Sequence, residues 1–186
     1  MSAASSQYVT IPTWYSGGSG LSFAFWFKFI NSGSSSRIFD FGNGPSQLNV
    51  GFAEGGPNFY LLTGTASSAT NYGNKDYLYV NDGVWRHAVM TFDTNGNLIL
   101  YINGQFYCVY TSVAYPPADY RSSNFLGKSN FNNPYLNGAV DEFYIWDQVI
   151  TPAEAKAIYL PGKIGVIARD DSVIFDAYTL TERFRA

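Results

Sequence analysis

The chain has little with which to grip a phosphate backbone, close a covalent loop or hold a soft metal. One of its 186 residues is cysteine and one is histidine. An intrachain disulfide is therefore excluded, and so is a His/Cys zinc cluster, which needs several such ligands. Charged residues are 13% of the chain, about half the ~25% usual in globular proteins. The 11 Lys and Arg are scattered singly against 14 Asp and Glu, for a net charge of -3, so there is no basic stripe for a nucleic acid. No window approaches the ~18 apolar residues of a membrane span, and the opening MSAASSQYVT lacks the apolar run of a signal peptide. Neither membrane insertion nor an export signal is read from the sequence.

What is abundant is aromatic. Tyr, Phe and Trp make up 18% of the residues, while 18 Gly and eight Pro supply turns rather than a low-complexity tract. At 20.6 kDa a single domain buries about 70% of the unfolded surface, enough for a core without covalent staples. The composition reads as all-β.

Period-2 alternation supports that reading. Leu21, Phe23, Phe25, Phe27 and Phe29 share one face of a strand, with Ser22, Ala24, Trp26 and Lys28 on the other. Shorter runs at 37–41, 48–52 and 59–62 are separated by the turns Gly42-Asn43-Gly44-Pro45 and Gly55-Gly56-Pro57. Residues 63–76 are polar and aperiodic, and are expected to form a surface loop. Runs at 84–92 and 98–103 flank a turn containing Asn95-Gly96, and Asn103-Gly104 leads into 105–111, so these three predict a meander. Further strands are expected at 124–127 and 136–147. One helix is predicted: Thr151-Pro152-Ala153-Glu154 has the form of a capping box with proline in the first turn, and Ala155, Ile158 and Tyr159 make a short apolar face.

Three stretches together resemble the laminin-G-like branch of the concanavalin A-like lectin/glucanase superfamily. They are Leu21-Ser22-Phe23-Ala24-Phe25-Trp26-Phe27-Lys28, then Trp85 to Asp93 with Leu98 to Gly104, and then Leu136 to Trp146 followed by the capped helix. Their order and spacing match across residues 6 to 160. The resemblance implies an all-β, two-sheet antiparallel jelly-roll sandwich with one short helix near 152–159. It also implies a division into a domain at 1–162 and an extension at 163–186. Relatives usually begin with a strand that this chain lacks at its start, and residues 171–177 (DSVIFDA) look much like it. The tail is expected either to fill the empty edge of the sandwich, in its own chain or in a neighbour's, or to be a linker with a short strand.

A hydrolytic site is not expected. Glycoside hydrolysis needs two carboxyl groups about 5–9.5 Å apart, and there are four Glu in all, of which Glu154 belongs to the helix cap. In an unbroken strand Asp141 and Glu142 point to opposite faces, and Asp141 and Asp147 are ~20 Å apart. The lone His87 lies within a strand pattern and reads as a packed residue, as does Cys108. Because calcium is common among relatives, the resemblance makes Asp141 a metal candidate, against a reading as a buried, hydrogen-bonded aspartate. Asp40, Asp82 and Asp93 border turns and are weaker metal candidates, more simply read as turn residues.

Sugars bind exposed aromatic faces beside amides and carboxylates, since a pyranose has an apolar face and a polar rim. Trp14, Tyr15, Tyr72, Tyr115, Tyr120 and Tyr135 stand in polar, loop-like stretches and are the candidate ligand-binding residues. The leading expectation is non-catalytic recognition of a glycan or glycan-bearing surface through rim loops, at an extracellular or particle surface. The alternative is a structural building block of a virion, fibre or surface layer, with contacts to itself or to other structural proteins through the C-terminal segment.

Overall fold

In the computed structural model the chain forms thirteen strands, one α-helix and a single 3-10 turn at Ala3–Ser5 among the residues it describes, which are 1–16, 18–30, 35–45, 49–55, 58–64, 70–73 and 78–160. In chain order the strands are β1 (Val9–Ile11), β2 (Trp14–Ser16), β3 (Gly20–Phe29), β4 (Arg37–Gly42), β5 (Asn49–Gly55), β6 (Asn58–Gly64), β7 (Thr70–Gly73) and β8 (Arg86–Asp93). There follow β9 (Leu98–Ile102), β10 (Gln105–Tyr110), β11 (Asp119–Arg121), β12 (Ser123–Leu126), β13 (Gly138–Trp146) and the helix α1 (Pro152–Tyr159). One sheet has the order β1-β12-β4-β5-β6-β7, the other β10-β9-β8-β3-β13, and β11 and β2 form a separate pair. This is the expected jelly-roll sandwich with a single short helix. The expected tail strand at 171–177 lies outside the described residues.

The described residues divide into two compact units, one drawn from 1–17, 27–85 and 114–140, the other from 18–26, 86–113 and 141–160. In the first, Phe27 packs on Phe29 and on Phe52 of β5, and Phe39 packs on Phe41 of the same strand. All five rings are fully buried. The sequence places no alternation at 63–76, yet β6 runs to Gly64 and pairs with β7, Thr63 opposite Thr70. β6 thus takes 63–64 and β7 takes 70–73 out of the expected long loop. β7 closes the sheet order, and an edge strand held by backbone pairing needs no apolar alternation.

A polar hub ties β4 to the segment after β12. Asp40, read as a turn residue, instead sits fully buried within β4. Its carboxylate accepts from Arg37 Nε at 3.3 Å, Ser129 Oγ at 3.2 Å, and the backbone N–H and Nδ2 of Asn130 at 3.2 and 3.0 Å. Burial pushes the Asp40 carboxyl above its usual range, and Arg37 and the Asn130 and Ser129 donors oppose that shift.

In the second unit β8, β9 and β10 form the expected meander, with Ala88 opposite Ile102 and Val109 opposite Ile99. At its first turn the Asp93 carboxylate accepts from the backbone N–H of Asn95 and Asn97 and from Asn97 Nδ2, as a turn aspartate should. On β3, Phe23 and Phe25 pack on Phe143 of β13. The opposite face of β3 is buried as well: Ser22 and Ala24 are fully covered. Ser22 Oγ donates to Gln148 O and accepts from Ile150 N–H, while Ala24, Val89, Tyr101, Ile150 and Ala155 form a small second core beneath α1. The capping box is formed in both directions, with Thr151 Oγ1 accepting from Glu154 N–H and Glu154 Oε2 accepting from Thr151 N–H. A cap of this kind contributes about 1 kcal/mol.

His87 is a packed core residue, 1% exposed and caged by the rings of Trp26 and Tyr159. Its Nδ1 has no hydrogen-bond partner, and burial lowers its pKa to about 4. Cys108 is buried within β10.

Candidate functional site

Three of the aromatic candidates, Trp14, Tyr15 and Tyr120, lie on a two-stranded ribbon in the first unit. β1 pairs with β12, Val9 opposite Leu126 and Ile11 opposite Asn124. β2 pairs with β11, Trp14 opposite Arg121, Tyr15 opposite Tyr120 and Ser16 opposite Asp119. The register is the same in both pairs, so they are one ribbon interrupted at Pro12. Proline has no N–H to give the ladder, and the break is bridged by Asn124, whose Nδ2 donates to Pro12 O and Arg121 O.

The break also changes which face looks inward. Ile11 and Asn124 are buried before it, Trp14 and Arg121 after it, three positions on in each strand rather than two or four. A continuous strand would turn the next odd or even member inward; the corner instead puts Trp14 and Arg121 inside and turns Tyr15 and Tyr120 out. Trp14 packs edge-on against Phe41 and is 8% exposed. It is thus a buried strand residue beneath the site, not the exposed loop aromatic expected from sequence. Its hydrophobic ring outweighs the polar character of its neighbours.

Tyr15 and Tyr120 are 54% and 65% exposed, with ring centroids 5.0 Å apart and planes tilted by 56°. Under them Arg121, 1% exposed, donates from Nε to Ser16 Oγ at 2.9 Å and from Nη2 to Pro117 O at 3.2 Å. Burial lowers its pKa to about 10, and nearby Asp119 and Tyr115 pull the other way, so the guanidinium keeps its charge at neutral pH. Beside the rings, Asp119 Oδ1 accepts from Tyr120 N–H and Oδ2 from Asn43 Nδ2 at 3.1 Å. Asn43 Oδ1 in turn accepts from the N–H and Oγ of Ser122. Tilted rings, a carboxylate and an amide thus border one exposed rim.

Tyr115 is half-buried near Arg121. Tyr135 belongs elsewhere, against Tyr8, which also meets Phe125, and Lys128 Nζ lies 4.5 Å from the centroids of both Tyr8 and Phe125. Tyr72 is in β7, with its side chain outside the described residues. Sequence reasoning missed Asn43, Asp119 and Arg121. The Asn43-Gly44 turn and the lone arginine after Tyr120 were visible, but not their convergence.

Asp141 is exposed rather than buried, and its Oδ1 accepts from the N–H of Glu142. Glu142 has φ of +46°, so β13 is not the unbroken strand assumed when the two carboxylates were placed on opposite faces; both are exposed. Among the described residues no three His, Cys, Asp or Glu gather to hold a metal. One exposed carboxylate engaged by its neighbour's N–H does not fit the six to eight oxygen ligands calcium takes. Among the same residues no helix is long and apolar enough to cross a membrane.

Comparison with known proteins places the chain. Residues 3–156 match a family model of the concanavalin A-like lectin/glucanases superfamily. In sequence the chain is 33% identical over 91 residues to adhesion G-protein coupled receptor D1 of Homo sapiens, a match covering 44% of this chain and 10% of that receptor; this chain therefore spans only a small part of such relatives. Among solved structures it is similar to domain 4 of an extracellular arabinanase from Geobacillus stearothermophilus in complex with arabinotriose, with a TM-score of 0.67, 20% identity, and 81% of this chain and 71% of that one covered. A heptameric SAP-like pentraxin from Limulus polyphemus aligns with a TM-score of 0.62 at 16% identity, covering 90% and 82%. Botulinum neurotoxin type C, whose cell entry depends on two ganglioside molecules, gives 0.55 at 13% identity over 76% and 35%. The chain belongs to the concanavalin A-like lectin/glucanases superfamily.

Proposed function

We propose that this domain is a non-catalytic carbohydrate-recognition module that binds a glycan at the rim formed by β2 and β11. The observation that carries the reading is the exposed, tilted Tyr15–Tyr120 pair bordered by the carboxylate of Asp119 and the amide of Asn43. Two ring faces meet the apolar face of a sugar, and the polar border takes its hydroxyls. Relatives of the same fold support it: one is described bound to arabinotriose and another depends on gangliosides. A catalytic reading would need a paired carboxyl across the bound sugar, and the carboxylate that the described residues bring to the rings is that of Asp119. The extracellular arabinanase and the adhesion receptor support display outside the cell or on its surface.

The test is a glycan-array screen of the full chain beside the Tyr15→Ala/Tyr120→Ala double variant, with melting temperature as the control for folding. Saturable binding lost in the double variant supports the rim. Binding that survives it overturns the assignment of the site, and no binding to any glycan overturns the function.

The building-block reading is favoured by a separate observation. Ile30, Val84 and Trp85 are exposed, and they flank the hydrogen bond from Gly83 N–H to Phe29 O and the Lys28–Trp85 contact. A chain that assembles through this apolar surface would be an oligomer by light scattering, and Trp85→Ala would return it to monomer.

A further inference from the structure

Resting on that reading of the rim, we infer that its ligands are uncharged glycans and that the site selects against sialylated, sulfated and uronic-acid sugars. Two charged groups flank the Tyr15–Tyr120 pair on β11, Asp119 and Arg121, and they are unequally placed. Asp119 is exposed. Arg121 is buried beneath the rings, with Nε and Nη2 donating inward to Ser16 Oγ and Pro117 O, so the cation is not presented to a ligand.

Two backbone donors at the rim are also engaged. Tyr120 N–H is taken by the Asp119 carboxylate, and Ser122 N–H by Asn43 Oδ1 and Gly42 O. An anionic sugar substituent is held most strongly by N–H donors or an accessible cation that replace its water. Here it would meet a carboxylate instead. That carboxylate has about four lone-pair positions, and Tyr120 N–H and Asn43 Nδ2 occupy two of them. The others accept hydroxyl protons, which every neutral sugar carries. The rim therefore attracts a sugar's donors and repels a negative charge, which is selection by an unfavourable contact as much as by a favourable one.

The experiment measures affinity of the full chain for matched pairs, lactose against sialyllactose and neutral galactan against polygalacturonate, at low and high salt. The expected result is at least tenfold tighter binding of the neutral member, a gap that narrows several-fold in high salt and in Asp119→Asn. Screening and the amide both remove the repulsion while the rings remain. Tighter or equal binding of the acidic members that still depends on Tyr120 overturns the selectivity and leaves the rim as the glycan site. Binding of either member that survives Tyr120→Ala overturns the site itself, and the selectivity with it.

Discussion

Tyr15 and Tyr120 stand directly opposite each other across the β2–β11 pair, their rings 5.0 Å apart and both more than half exposed. Cross-strand aromatic pairs stabilise a ribbon by only about 0.2–1 kcal/mol, yet two large exposed rings cost hydration that folding does not recover.

If ligand contact is what the rings serve, shape should matter more than the hydroxyl. Tyr120→Phe is expected to keep glycan affinity within about threefold, while Tyr120→Ala should lose about tenfold, or ~1.4 kcal/mol. Titration calorimetry reads the affinity, and a melting temperature unchanged within a few degrees separates binding from stability.

The Arg37–Asp40 pair should behave in the opposite way. Asp40→Ala leaves a guanidinium that is 3% exposed with the neutral acceptors Ser35 O and Asn133 Oδ1, and removing the charged partner of a buried pair costs up to about 3–5 kcal/mol. Urea denaturation is expected to show that loss, with glycan affinity preserved in the fraction that remains folded.

His87 makes stability sensitive to acid. Its folded pKa of about 4 lies below the ordinary value of 6.5, so between those values the unfolded chain binds a proton that the native state refuses. Stability from this group is therefore constant above pH 6.5, falls as pH drops toward 4, and has lost about 3 kcal/mol there. Asp40, with its carboxyl raised by burial, takes up its proton earlier in the native state and offsets part of the fall. Comparing His87→Phe with the parent cancels that contribution, and the variant's melting temperature should decline less between pH 7 and 4.

Gly104 fixes the seat of α1. Its φ is +72°, and a Cβ there would lie 2.8 Å from the Tyr159 ring. Gly104→Ala is expected to cost about 1–3 kcal/mol through strain and displacement of Tyr159. Tyrosine fluorescence and thermal melting would register it, whereas the same change at Gly83, also at positive φ but with open space around its Cβ position, should cost less.

Calcium should not govern the rim. Asp119 is a single carboxylate whose two oxygens each already accept one protein donor, far short of the six to eight oxygens calcium takes, so chelation is expected to leave Tyr120-dependent binding unchanged. A chelator-sensitive affinity that Asp141→Asn abolishes would restore Asp141 as a metal ligand.

Much of the fold was legible because its signals are local. The Phe23-Phe25-Phe27-Phe29 alternation, the Asp93–Asn97 turn and the Thr151–Glu154 cap each act through residues a few positions apart, and each appears where the sequence puts it. The weaknesses were β7, whose polar residues carry no period, and β13, whose Glu142 at positive φ breaks an alternation that looked continuous.

The amino-acid sequence by itself determined the class of the fold, the main strands and the helix, since side-chain period and capping chemistry are set by neighbours. It also supplied the aromatic residues from which a sugar site would be drawn. Only the tertiary structure decided which of them face solvent: pairing of distant strands and the corner at Pro12 buried Trp14 with Arg121 and turned Tyr15 and Tyr120 outward. The convergence of Asn43, Asp119 and those rings belongs to the same level, because residues far apart in sequence meet only after the sheet has fixed its register.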